Sequence, residues 1–162
     1  MGNLQFSINS TLEPEKLMMY IIDFESYKNF FPDQIKKVKI LDRQNNEITT
    51  EETIKFSTLI KRSFIQKSHH KIISDKELST EILEGPAKGS VVKITCSKND
   101  QGSQVEFDAE LKLSLKAKFL SPLIKNFYKR YLTAIVYKIT ERDLKSQDKL
   151  KWLLKIQKLL IG

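Results

Sequence analysis

Leu4, Phe6 and Ile8 alternate with Gln5, Ser7 and Asn9, the two-residue period of a strand that buries one face. The period then changes. Thr11 offers an N-cap, Pro14 suits a first helical turn, Glu13 and Glu15 suit the positive end of a helix, and Leu17, Tyr20, Ile21 and Phe24 form an apolar stripe. A helix is predicted to Asp23, and a second, short one from Glu25 to Phe31, closed by Pro32. Together they group Tyr27, Phe30 and Phe31 against one end of a sheet. From Ile35 to Ser97 the pattern predicts strands over 35–43, 47–57, 61–73, 77–84 and 90–98. The breaks at 45–46, 74–75 and 85–89 carry turn residues, whereas the one at 57–60 does not. After Asn99, Asp100, Gln101 and Gly102 the alternation is clearest. Val105, Phe107, Ala109, Leu111, Leu113, Leu115, Ala117 and Phe119 share one face and predict a long strand over 105–119. Ser121 and Pro122 then open a helix of about twenty residues, with Leu123, Ile124, Phe127, Tyr128, Tyr131, Ile135 and Ile139 on its apolar face.

The order is strand, two helices, six strands, long helix: an α+β arrangement with a curved antiparallel sheet of about seven strands. Such a sheet must cover its apolar face, and only the last helix is long enough. Strand parity places polar groups on that covered face. Lys67 and Lys71 share one side of strand 61–73, so Phe64, Gln66, Ser68, His70 and Ile72 point inward, and in strand 47–57 Ile48, Thr50, Glu52, Ile54 and Phe56 share a side. A buried polar group costs about 1–3 kcal/mol when unpaired, so these need a ligand, water or one another.

Composition fits one soluble domain: 162 residues, 40% hydrophobic and 30% charged, with five Gly and four Pro that leave no flexible linker. No apolar run reaches the roughly 18 residues of a membrane span, and Met1–Ser10 lacks the pattern of a signal peptide. Gly2 is followed by Phe6 where myristoylation calls for Ser or Thr. Cys96 is the sole cysteine, which excludes an internal disulfide and fits a reducing compartment, so a cytoplasmic location is expected. His69 and His70 point to opposite faces of one strand and cannot share a metal. No catalytic constellation, phosphate loop or metal-ligand spacing is present, and neither metal nor cofactor is expected.

The net charge of +8 is uneven. Residues 1–109 hold 15 basic and 16 acidic side chains, and residues 110–162 hold 13 basic and 4 acidic. Beyond a domain spanning 1–145, residues 146–162 read as an amphipathic basic helical extension. Its Leu150, Trp152, Leu153, Leu154, Ile156, Leu159, Leu160 and Ile161 cover more than half the helical wheel, and Lys151, Lys155 and Lys158 take a narrow arc. Packing on the domain, a homodimer, and peripheral contact with an anionic membrane through Lys151, Trp152, Lys155 and Lys158 all fit that pattern.

Three segments carry a family resemblance. Residues Tyr20 to Tyr27 with Phe30-Phe31-Pro32, the stretch Phe56 to Ser68, and Leu83-Glu84-Gly85-Pro86 resemble the SRPBCC or START-like superfamily over residues 4–142, nearest its coenzyme Q-binding and polyketide cyclase-like branch. That resemblance implies a helix-grip fold with an apolar ligand, such as a lipid, an isoprenoid quinone or a polyketide, held between sheet and C-terminal helix. The residues expected to line it are Tyr27, Phe31, Glu52, Phe64, Gln66, Ser68, His70, Phe107, Leu111, Phe127 and Tyr131. Two alternatives remain open: an aromatase/cyclase in which Glu52 or His70 acts as acid or base, and a ribosome- or RNA-associated protein using the basic last third.

Overall fold

The computed structural model describes residues 2–30, 33–56, 62–114 and 118–161. Strand β1 (Gly2–Ser10) leads into helix α1 (Pro14–Ile21), a 3-10 turn at Phe24–Ser26 and the short helix α2 (Tyr27–Phe30). Six strands follow: β2 (Ile35–Gln44), β3 (Glu47–Phe56), β4 (Arg62–Ser74), β5 (Glu77–Glu84), β6 (Val91–Asn99) and β7 (Gly102–Leu111). A 3-10 turn at Lys118–Leu120 then opens helix α3 (Ser121–Ile161). The expected break at 57–60 and the candidate Phe31 lie outside the described residues.

All seven strands form one antiparallel sheet in the order β1-β7-β6-β5-β4-β3-β2. The hairpin meander brings β7 back beside β1, which pairs in register from Gly2↔Leu111 to Ser10↔Ser103. Gly102 makes that closure fit: its φ is +142°, and a Cβ there would lie 2.6 Å from the Ser10 carbonyl oxygen. Register shifts in β2 and between β4 and β5 add local twist, which helps the sheet curl. Its concave face carries the core. Val105, Phe107, Ala109 and Leu111 of β7 are buried there, with Ile48 and Ile54 of β3 and Leu78 and Ile82 of β5.

The strand expected over 105–119 is shorter. β7 stops at Leu111, where its neighbours run out: the last pairs are Glu110 with Val91 and Leu111 with Gly2. Alternation continues to Phe119 in the sequence, but a strand needs a ladder partner as well as a pattern. Phe119, expected to point inward, is exposed in the 3-10 turn.

Helix α3 covers the concave face with Ile124, Tyr128, Leu132, Ile135, Val136 and Ile139, a three-and-four spacing that ends at the buried Asp143. Polar contacts near the end of that face fasten it to β1 and to α1. Ser10 Oγ and Thr140 Oγ1 are 2.8 Å apart. The Asp143 carboxylate accepts from Tyr20 (3.0 Å) and Gln147 (2.8 Å) and pairs with Lys16 at 3.0 Å. α1 is itself anchored by buried Leu17, Met18 and Ile21, each side chain contributing roughly 2 kcal/mol through burial. Past Asp143 the helix continues without Gly or Pro, and Leu144–Ile161 are exposed apart from half-buried Ile156. No helix among the described residues is long and apolar enough to cross a membrane.

Candidate functional site

Between α3 and the sheet lies a cavity of about 70 Å³, lined on the helix side by Tyr128, Tyr131, Leu132 and Ile135. Phe24 and Tyr27 close one end, and Leu78, Ile82, Val92 and Ile94 form the aliphatic floor. Glu52, Gln66, Ser68, His70 and Thr80 complete the wall, so one patch of an otherwise apolar lining is polar. Period-two alternation accounts for that patch. Thr50 and Glu52 of β3 face the same way as Gln66, Ser68 and His70 of β4, and His70 lies opposite Thr80 of β5.

The polar side chains form two chains of donors that end on one carboxylate. Thr50 Oγ1 donates to Glu52 Oε1 at 2.6 Å and lies 2.8 Å from His70 Nε2. A hydroxyl has one proton, and Thr50 gives it to Glu52, so His70 must donate from Nε2. In the neutral ring Nδ1 is then an acceptor, and Thr80 Oγ1, 2.7 Å away, donates to it. On the other side Tyr128 OH donates to Gln66 Oε1 (2.9 Å), Gln66 Nε2 to Ser68 Oγ (3.3 Å), and Ser68 Oγ to Glu52 Oε2 (3.3 Å). His70 Nε2 is 3.8 Å from Glu52 Oε1, and the Phe24 ring stacks on the imidazole at a centroid distance of 3.9 Å. Among the described residues no buried side-chain polar atom is left without a partner.

This arrangement defines which groups can still bind something. Both nitrogens of His70 are engaged within the wall, so the imidazole offers a ligand nothing without losing a bond. Glu52 accepts from Thr50 at Oε1 and from Ser68 at Oε2, and each carboxylate oxygen carries a second lone pair. The cavity therefore presents an acceptor at its polar patch. Burial raises the Tyr128 and Tyr131 hydroxyls well above the usual tyrosine range, and the Glu52 charge adds to the effect; Tyr27, whose OH donates to the Ile21 carbonyl, is raised likewise by burial and Glu52. These phenols stay protonated and serve as donors.

Of the residues expected to bind ligand, Tyr27, Glu52, Gln66, Ser68, His70 and Tyr131 meet at the cavity. Phe107 and Leu111 are instead core: Phe107 is 2% exposed and stacks on Phe6 at 4.8 Å under the β1–β7 pair. Phe64 and Phe127 are half-buried against the core and are not among the lining residues, although the Phe127 ring stacks parallel to Tyr131. Thr50, Thr80, Tyr128 and Phe24 belong to the site and were absent from the expected set. His69, on the outer face, contacts Thr49 and Glu47. Among the described residues no three metal-ligating side chains come together. Lys151, Trp152, Lys155 and Lys158 lie on the exposed end of α3, far along the helix from the cavity.

Comparison with known proteins places this geometry. The sequence has no match among curated proteins. Among solved structures the fold is similar to TTHA0849 from Thermus thermophilus, with a TM-score of 0.75, 11% identity, and coverage of 90% of this chain and 99% of that one. It is similar to the Zhui aromatase/cyclase from Streptomyces sp. R1128, at a TM-score of 0.71, 11% identity and coverage of 87% and 92%. A START superfamily protein from Mycobacterium smegmatis matches at a TM-score of 0.61, 18% identity and coverage of 85% and 99%. At these identities the likeness is one of fold, the seven-stranded sheet closed around a long C-terminal helix. A family model described as polyketide cyclase / dehydrase and lipid transport matches residues 11–140, and the chain belongs to that family.

Proposed function

We propose that the chain binds and carries a small, largely apolar molecule bearing a hydroxyl or enol group, which donates to Glu52 in the cavity beneath α3. The observation that supports this most directly is the convergence of two donor chains on a single carboxylate facing an apolar space. Pockets for small molecules combine apolar walls with a few fixed polar groups in this way. The acceptor character of Glu52 also ranks ligands. At Glu52 a quinone carbonyl would face like against like, whereas a quinol or a hydroxylated polyketide-type ring supplies the proton.

Size adds a second condition. A cavity of about 150 Å³ holds benzene, and the 70 Å³ here is roughly half of that, so a ring enters only as the lining side chains give way. Native mass spectrometry of protein purified from its own host tests the reading. An adduct that carries a hydroxyl and is lost in Val92→Phe, which fills the floor, supports it. Purification as bare protein, with no response of cavity resonances to added phenol, would contradict it.

A second reading is catalysis of the aromatase/cyclase type. It is favoured by the Thr50 bridge between His70 and Glu52, a relay that could hold a proton at the carboxylate during enolisation of a bound substrate. Recovery of a chemically altered ligand after incubation, dependent on Glu52, separates this from simple binding.

A further inference from the structure

The exposed end of α3 carries an organised surface that the cavity does not use. The last 18 residues, 144–161, extend about 27 Å at the usual helical rise. Steps of three and four along the helix connect Lys138, Arg142, Lys145 and Lys149 with Trp152, Leu153, Ile156 and Leu160, so all lie on one stripe. At 100° per residue this stripe runs roughly a quarter-turn round from the face that grips the sheet. Its first half is basic and its second half apolar. All eight side chains are exposed except half-buried Ile156. Leu159 and Ile161 widen the apolar end, at 74% and 78% exposure. The acidic groups near it are Asp148 and Glu141, the latter paired with Lys145 at 3.0 Å, while Arg142 lies over the Phe30 ring.

We propose that this stripe docks α3 on an anionic lipid surface, with Trp152 to Leu160 sunk at the level of the acyl boundary and Lys138 to Lys149 among the head groups. Charge disfavours a second copy of the chain paired along the whole stripe. Parallel pairing of two stripes would set four cations against the same four cations, and antiparallel pairing would bury them under the partner's apolar end. An anionic surface satisfies both halves at once. Lys151, Lys155 and Lys158, on the opposite arc, reach back to head groups through their methylene stems. The proposal is independent of the cavity reading, and Glu52→Gln leaves it unchanged.

The sole tryptophan, Trp152, reports on this contact directly in the intact protein. Titration with phosphatidylcholine vesicles containing phosphatidylglycerol should shift its emission to the blue, and vesicles of phosphatidylcholine alone should not. Partitioning should weaken about fivefold for each of Arg142→Gln and Lys149→Gln, and further with added salt. Leu153→Ser with Leu160→Ser should abolish the shift while helicity by circular dichroism is retained, since both side chains are exposed. Three results overturn the proposal: no shift with anionic vesicles, equal binding to neutral ones, or a blue-shifted dimer in sedimentation that vesicles do not change. Binding of single-stranded RNA without binding of vesicles overturns it as well.

Discussion

Glu52→Gln separates the role of the carboxylate in binding from its role in holding the wall together. The substitution keeps the shape of the side chain and removes its charge. In the native wall Glu52 accepts from Thr50 at 2.6 Å and Ser68 at 3.3 Å. The amide retains one acceptor and presents a donor to the other hydroxyl, which rotates to accept it at the expense of its own donation. Charge-assisted bonds contribute about 1.5–3 kcal/mol and neutral ones about 1, while relief of the buried charge acts in the opposite direction. Folding stability should therefore change by no more than about 1 kcal/mol. A ligand hydroxyl that donates to the carboxylate loses the charge assistance with nothing to offset it, about 1–2 kcal/mol, or roughly 5- to 30-fold in affinity. The assay is a titration of wild type and variant with phenol and with anisole, followed by NMR. Phenol binding should weaken by that factor and anisole binding by less than about twofold, because the methyl ether has no proton to donate. The difference between the two ligands is the readout, since general loosening of the cavity would affect both alike. Equal weakening of both in a folded variant, or no weakening of phenol, would refute the assignment of Glu52 as the acceptor.

Other expectations follow from burial. Tyr27, Tyr128 and Tyr131 are raised above the ordinary value near 10, so the stability this gives is present below pH ~10 and is lost as pH rises beyond it. At pH ~11 each costs on the order of 1 kcal/mol, and phenolate absorbance should show these three ionising only as near-ultraviolet circular dichroism collapses. Cys96 is 1% exposed and burial pushes its thiol up to about 11, so thiol reagents at neutral pH should label it at the rate of unfolding; rapid labelling of the native protein would contradict the placement. Asp143→Ala removes the acceptor for Tyr20 and Gln147 and should lower stability by about 1–3 kcal/mol in chemical denaturation, with faster amide exchange in α1 than in β5 or β6.

Alternation and helical spacing carried most of the architecture. The parity argument from Lys67 and Lys71 put Gln66, Ser68 and His70 on the inner face of β4, where they lie, because one-sided burial leaves a strand little freedom of register. The partners of His70 were harder to read. Thr80 reaches Nδ1 through the β4–β5 register, which contains two irregularities that no local pattern announces. The same limit explains β7, whose alternation outlasts its neighbours. Phe107 and Leu111 do point inward, but which part of a concave face borders the cavity depends on how α3 crosses the sheet, and Phe107 lies beside Phe6, its partner in the β1–β7 register. The tail was legible as an amphipathic basic helix, but not as one piece with the helix before it. Its continuity with α3, and hence the stripe shared by Lys138 and Leu160, depends on a helix that runs 41 residues without a break.

The interior carries two features that packing alone does not favour, and they are adjacent. Seven polar side chains, Thr50, Glu52, Gln66, Ser68, His70, Thr80 and Tyr128, occupy a wall where aliphatic residues would pack without any need for hydrogen bonds. Beside them 70 Å³ is left unfilled, a deficit of about 1.7 kcal/mol at 24 cal/mol per Å³. Either could be a tolerated imperfection if it stood elsewhere in the core. Sequences that specify a fold consistently tend to break local rules where something besides stability is at stake. The fastenings of α3 at Thr140 and Asp143 add a mechanical element, since both lie several residues beyond the cavity-lining Tyr131, Leu132 and Ile135. At the cavity α3 is tied to β4 by the Tyr128–Gln66 hydrogen bond, and the further polar ties at Thr140 and Asp143 lie beyond the void. A helix fastened in this way can yield over the cavity while its register on the sheet is kept, which is what admission of a ligand larger than the resting space requires.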